Sequence, residues 1–170
     1  MRAFAFTVLA SIYLVIAVLI FARRKTGYSH IRHTISELGE IGAADQRLVA
    51  LGGFLPVGLL LAVVAYFIGP FSPPQLVLAL CNATGYLIAA LFPCDPHSLG
   101  GAIEYAGGAI SLVWLSESLG PVFRVAGLAV GIAMVGLSFE SGLRGLIQRI
   151  AEASLLGGLG LSLWLMRSAV

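Results

Sequence analysis

Of the 170 residues, 59% are hydrophobic and only 11% are charged, with a mean hydropathy of +0.99; a soluble globule of this composition has too little polar surface to cover itself. A formal charge of +2, with no basic stripe interleaved with aromatics, excludes nucleic acid as a partner. Lipid must therefore be part of the solvent, and the expected partners are membrane lipids or the other subunits of a membrane assembly.

The first apolar run, about 3–22, follows Arg2 and ends in Arg23-Arg24-Lys25. It is longer than the usual apolar region of a secretory signal, about 7 to 15 residues, and has no small-residue cleavage site, so it is expected to stay in the protein as helix one. A bilayer core roughly 30 Å thick needs about 17 to 25 mostly apolar residues per helical span. Further runs of that kind fall at about 48–69, 75–92, 99–116, 122–139 and 150–166. Turn chemistry separates them: Gly69-Pro70 and Pro73-Pro74, Pro93 and Pro96, Gly120-Pro121, then Ser141-Gly142. No alternating barrel pattern occurs, and helices satisfy the backbone in lipid. The expected fold is all-α: a polytopic, compact bundle of six transmembrane helices forming one domain over 1–170, with a short interfacial helix after helix one. Pro56 is expected to kink the second span.

Alternating the sides places Arg23, Arg24, Lys25, Arg32, Arg47, Arg144 and Arg149 on one face and Arg2, Arg124 and Arg167 on the other. By the positive-inside tendency, the loops 23–47, 93–98 and 140–149 are cytoplasmic and both termini lie outside, in a cell (inner) membrane. Glycines recur within the spans, with Gly127 and Gly131 in a GxxxG spacing; such residues let helix backbones approach closely in lipid. Cys81 lies in mid-span and Cys94 just beyond its end, too far apart along a helix for a disulfide, whose Cα atoms lie within about 7 Å.

Chemistry is concentrated at one end. Segment 28–40 reads as a short amphipathic helix, with Ile31, Ile35 and Leu38 on one side and His30, His33 and Glu37 on another. The turn after helix three, carrying Cys94, Asp95 and His97, is expected on the same membrane face. Glu104 should lie about 8 Å into helix four from that face, at about 1.5 Å per residue. An ionisable residue inside a span is costly without a partner or water, and His30, His33, Arg32 or Arg47 could supply one. The candidate ligand-binding cluster is thus His30, His33, Ser36, Glu37, Arg47, Asp95, His97 and Glu104, whose cations would attract anionic lipid head groups.

Metal is a second use of the same residues. His30, His33, Glu37, Cys94, Asp95 and His97 are types that suit zinc, and Glu37 or Asp95 could act as base in a metal-dependent hydrolase. No HExxH or paired CxxC accompanies them, and nothing in the sequence requires a cofactor. Ser36 lacks the flanking sequence of a nucleophile elbow. Transport is poorly supported, because no inverted repeat is visible and few polar residues other than Asn82, Thr84 and Tyr86 occupy mid-span positions. An accessory subunit packed through its glycine-rich faces is the structural alternative.

Two segments carry a resemblance: Tyr-Ser-His-x-x-x-Thr-Ile-Ser-Glu-Leu-Gly, from Tyr28 to Gly39, and Phe-Pro-Cys-Asp-Pro at the end of helix three. Together they resemble the bacterial and archaeal six-span proteins of domain of unknown function 998, related to the Frag/DRAM/Sfk-like membrane proteins. The resemblance implies an architecture and no reaction. It maps the recurring polar positions of that family onto Ser36, Glu37 and Asp95. It also implies a histidine near the start of helix four, where this chain has Glu104-Tyr105.

Overall fold

A computed structural model describes residues 1–69, 72–92 and 99–167. Among them are six long helices and no strand: α1 (Arg2–Arg24), α2 (Gln46–Ile68), α3 (Pro73–Leu91), α4 (Leu99–Leu119), α5 (Pro121–Leu137) and α6 (Arg144–Arg167). Each helix packs on the next in chain order, and α6 returns to α1, so the bundle closes on itself. Leu61, Leu78, Leu112, Phe123, Leu155 and Leu159, from α2 to α6, are fully buried at its centre, where α1 adds Ala10 and Leu14.

The outside is apolar as well. Ile12, Val15, Ile16 and Ile20 of α1 and Val125, Leu128, Ile132 and Val135 of α5 are all exposed. Helices α1, α2 and α3 are long and apolar enough to cross a membrane, and α5 is a shorter apolar helix. A bundle with an apolar rim around an apolar core belongs in lipid, where helices associate through close packing rather than by expelling water.

Small residues provide that closeness. A Cβ placed on Gly108 would meet Leu155, and one placed on Gly158 would meet Leu112, so α4 and α6 interlock reciprocally. A Cβ on Gly127 would stand 2.8 Å from the Ala109 carbonyl oxygen on α4, whereas one on Gly131 would meet nothing. The GxxxG spacing therefore splits, with one glycine spent on packing inside the chain and the other open on the surface. Gly120 alone joins α4 to α5, at φ 106°, a conformation natural to glycine.

One sequence expectation is refined and two are corrected. The irregularity in α2 is a wide π turn over Ala50–Phe54, just before Pro56. Pro56 has no N–H to offer the carbonyl four residues back, on Gly52, and the Tyr13 hydroxyl of α1 donates to that oxygen at 2.7 Å instead. Helix α6 starts at Arg144, well before the apolar run beginning near 150, because its polar first turns find protein partners that a hydropathy profile does not register. Segment 28–40 is a folded loop whose only regular piece is a 3₁₀ turn over Ser36–Gly39. Ile35 and Leu38 are buried and Ile31 is exposed, so the three do not share one face.

Replacing Gly127 by alanine should push α5 off α4 and cost about 1 to 3 kcal/mol, the range for overpacking, whereas Gly131→Ala should leave stability within about 0.5 kcal/mol. Thermal unfolding of both variants in one detergent measures the difference.

Candidate functional site

One end of the bundle encloses a cavity of about 770 Å³. It is walled by segment 32–40, the last turns of α3, the first turns of α4, the end of α5 with the following turn, and the start of α6.

The floor is a hydrogen-bonded carboxyl hub. Glu152, in the third turn of α6, accepts from the Tyr86 hydroxyl of α3 at Oε2 (2.8 Å) and from the Tyr105 hydroxyl of α4 at Oε1 (2.9 Å). One helical turn earlier, the Gln148 amide donates to the Tyr105 oxygen at 3.0 Å and to Ser36 Oγ at 3.3 Å, while its own oxygen accepts from the Ile35 backbone N–H at 2.5 Å. Helices α3, α4 and α6 and the loop after α1 are thus joined by one polar network. Phe54, delivered by the π turn of α2, packs its ring 6.2 Å from that of Tyr86 and completes the wall.

Glu104 is the other buried carboxyl of the cavity, only 6% exposed. It lies flat against the α3 backbone: a Cβ on Gly85 would stand 2.6 Å from its Oε2. Its Oε1 is buried and has no hydrogen-bond partner among the described residues. Arg144, the first residue of α6, also lines the cavity, and its Nε is buried without a partner among them. Such atoms are uncommon in folded proteins, and each asks for a group that complements it.

The loop over the cavity is clamped from α6. The Arg149 guanidinium donates to the carbonyls of His30 (2.7 Å) and His33 (3.1 Å), to the Tyr28 hydroxyl (2.9 Å) and to His30 Nδ1 (2.9 Å). Because a guanidinium only donates, that imidazole nitrogen must be the acceptor. The Leu146 N–H, one of the free donors in the first turn of α6, bonds the Ile31 carbonyl at 3.0 Å. Gly145 has no room for a side chain there, since a Cβ would run into the His33 and His30 carbonyls. Tyr28 closes the loop by donating to the Thr34 carbonyl at 2.8 Å, and burial raises its phenol above the ordinary value against the pull of Arg149. On the α1 side, Arg24 pairs with Asp45 (2.6 Å), holding that carboxyl below its ordinary range, and Lys25 pairs with Glu40 (2.7 Å).

The structure distributes the sequence candidates unevenly. His33, Ser36, Glu37 and Glu104 line the cavity. Glu37 is turned inward on its own loop, with Oε1 accepting from the Thr34 N–H and hydroxyl. His30 faces Arg149 and Arg47 is exposed; neither lines the cavity. None of His30, His33, Arg32 and Arg47 hydrogen-bonds Glu104 Oε1, contrary to the expected pairing. Cys94, Asp95 and His97 lie outside the described residues. Among the described residues, no group of three or more His, Cys, Asp or Glu side chains is placed to hold a metal.

Sequence reasoning passed over Glu152, Gln148 and Arg149 as site residues. Glu152 had a signal: it is an ionisable residue inside the sixth apolar run, and the rule that singled out Glu104 applies equally to it. Gln148 and Arg149 had none, because their importance depends on where the loop docks.

Fold and site together define an α-helical membrane protein with a cavity at one end of its bundle into which a few buried polar groups converge. The chain belongs to the protein family of unknown function DUF998, whose model matches residues 8–165. No curated protein and no solved structure matches it.

Burial and the charge of Arg149 push His30 below its ordinary value of 6.5. The folded chain therefore takes up that proton less readily than the unfolded chain. The stabilisation is complete above pH 6.5 and is lost as the pH falls below it. Acidification from about pH 7.5 to 5.5 should lower the amide-exchange protection of 28–34, corrected for intrinsic rates, and His30→Leu should abolish that step. A step of equal size in the variant would assign it elsewhere.

Proposed function

We propose that this chain is a multi-pass protein of the cell membrane, crossed by all six helices. Its end cavity receives a small polar ligand or lipid head group, and no reaction is required. The observation that carries the reading is a half-open cavity of about 770 Å³, lined by polar and apolar residues, that contains a buried carboxyl oxygen without a partner among the described residues. Ligand pockets of roughly 300 to 1,000 Å³ with a few convergent polar groups are typical binding sites. An ionisable group held at membrane depth is by default a functional one.

The connectivity supports six crossings: each helix packs on the next, and the α1–α2 loop and the α5–α6 turn both border the cavity. That end also carries Arg23, Arg24, Lys25, Arg32, Arg47, Arg144 and Arg149, so by the positive-inside tendency it faces the cytoplasm. Lysines and arginines around a head-group-sized opening would draw anionic lipid oxygens toward it.

Two experiments test the reading. In a Cys81→Ser/Cys94→Ser background, Ser29→Cys and Ser141→Cys should label from the cytoplasmic side and Ser118→Cys from the outside; labelling of Ser29 and Ser141 from opposite sides would remove the shared cavity face. Mass spectrometry of gently purified protein should find a retained small molecule or lipid, largely lost from Ser138→Trp, which places a bulky side chain at the exposed rim. A wild-type protein that carries nothing beyond detergent, and gains nothing from added lipid, would end the binding reading.

A further inference from the structure

The cavity contains two unsatisfied buried atoms of opposite chemistry. Among the described residues, Glu104 Oε1 can accept a hydrogen bond and has no donor, and Arg144 Nε can only donate and has no acceptor. They do not satisfy each other, and they differ in burial: Arg144, the first residue of α6, is half-buried, whereas Glu104, roughly 8 Å along α4 at about 1.5 Å per residue, is 6% exposed. Each oxygen of Glu152 beside it already accepts from a tyrosine hydroxyl, so the floor oxygen still without a donor among the described residues is on Glu104. Arg32 adds a second guanidinium to the lining, on the exposed loop.

We propose that the cavity binds a zwitterionic phosphoethanolamine group, with its primary ammonium donating to Glu104 in the floor and its phosphate on Arg144 and Arg32 nearer the opening. The proposal rests on the ligand-binding reading above and names the chemistry of the ligand. An anion alone would answer Arg144 and leave Glu104 without a donor. A simple amine would answer Glu104 and leave Arg144 Nε unpaired. A ligand with both ends satisfies the two atoms, and a guanidinium pair matches phosphate geometry. An ammonium with N–H donors fits a bare carboxyl oxygen, whereas a trimethylammonium has no N–H to give. The same group occurs free or as the head of a phospholipid, and the test separates these sources.

The full chain, purified in detergent, would be mixed with equimolar dioleoyl phosphatidylethanolamine, phosphatidylcholine and phosphatidylglycerol, and the retained lipid counted by native mass spectrometry. In parallel, O-phosphoethanolamine, inorganic phosphate and ethanolamine would be compared by thermal shift. The ethanolamine head sets a positive ammonium against the Glu104 carboxyl where the glycerol head offers only neutral hydroxyls, and that ion pair predicts a preference of about tenfold for phosphatidylethanolamine over phosphatidylglycerol. Retention of the lipid without a shift from O-phosphoethanolamine assigns the membrane source; a shift from O-phosphoethanolamine exceeding those from phosphate and ethanolamine assigns the free one. Glu104→Gln should erase the preference while keeping phosphatidylglycerol binding, and Arg144→Met should weaken both lipids.

Equal retention of phosphatidylglycerol and phosphatidylethanolamine by the wild-type chain would overturn the proposal and leave the cavity a plain anion-lipid site. Failure of every probe to bind would overturn the ligand-binding reading with it. The wild-type comparison holds even if Glu104→Gln does not fold.

Discussion

Two tyrosine hydroxyls, one from α3 and one from α4, donate to the two oxygens of a carboxyl on α6, and the whole end of the bundle is arranged around that contact. Glu152 is 6% exposed and Tyr86 and Tyr105 are 4% and 7% exposed, so all three are buried at the floor of the cavity. In a low-dielectric interior such bonds strengthen, and an unmade one leaves a costly polar group behind. The hub therefore fixes the spacing and rotation of three helices that small residues alone would let slide. Gln148 extends it one turn outward, so the loop after α1 is held by the same network as the helices.

The polar network explains the presence of a cavity in a bundle otherwise packed through glycine. Near Gly108 and Gly158, α4 and α6 lock side chain into backbone and no space is left. At the hub end the same helices are separated by tyrosine, glutamine and glutamate side chains, and the loop roofs the gap without filling it. Arg149 holds that roof through carbonyl oxygens of the loop, and Gly145 lets the loop backbone lie directly on the first turn of α6. The strongest ties of the loop run to α6 and the end of α1, leaving Glu37 and Arg32 on its inner margin toward the opening.

Much of the architecture could be read from the chain itself, because lipid imposes a simple grammar: long apolar runs broken by Gly-Pro and Pro-Pro mark helices, and short connections force antiparallel neighbours. Helix boundaries erred where polar residues belong to helix but bond protein instead of water, as at 144–149. Segment 28–40 misled in a different way. Its apolar spacing fits a helix, yet Tyr28, Thr34 and Glu37 satisfy the local backbone through side chains, and such bonds compete with helical ones. Glu104 was legible as an ionisable group within a span, and Glu152 was equally so. Which residues meet them was not, since Tyr86, Tyr105 and Gln148 are brought together only by helix rotation, which hydropathy does not encode.

If the hub positions the floor of the cavity, its members must act as a unit. A double-mutant cycle between Tyr105→Phe and Glu152→Gln, with Tyr86→Phe as a third arm, measures this through unfolding free energies in mild detergent. The account predicts coupling of about 0.5 to 3 kcal/mol for each tyrosine with Glu152. Additive losses at both tyrosines would mean that the three side chains merely share a space, and the reading of this end of the bundle as a built site would fall.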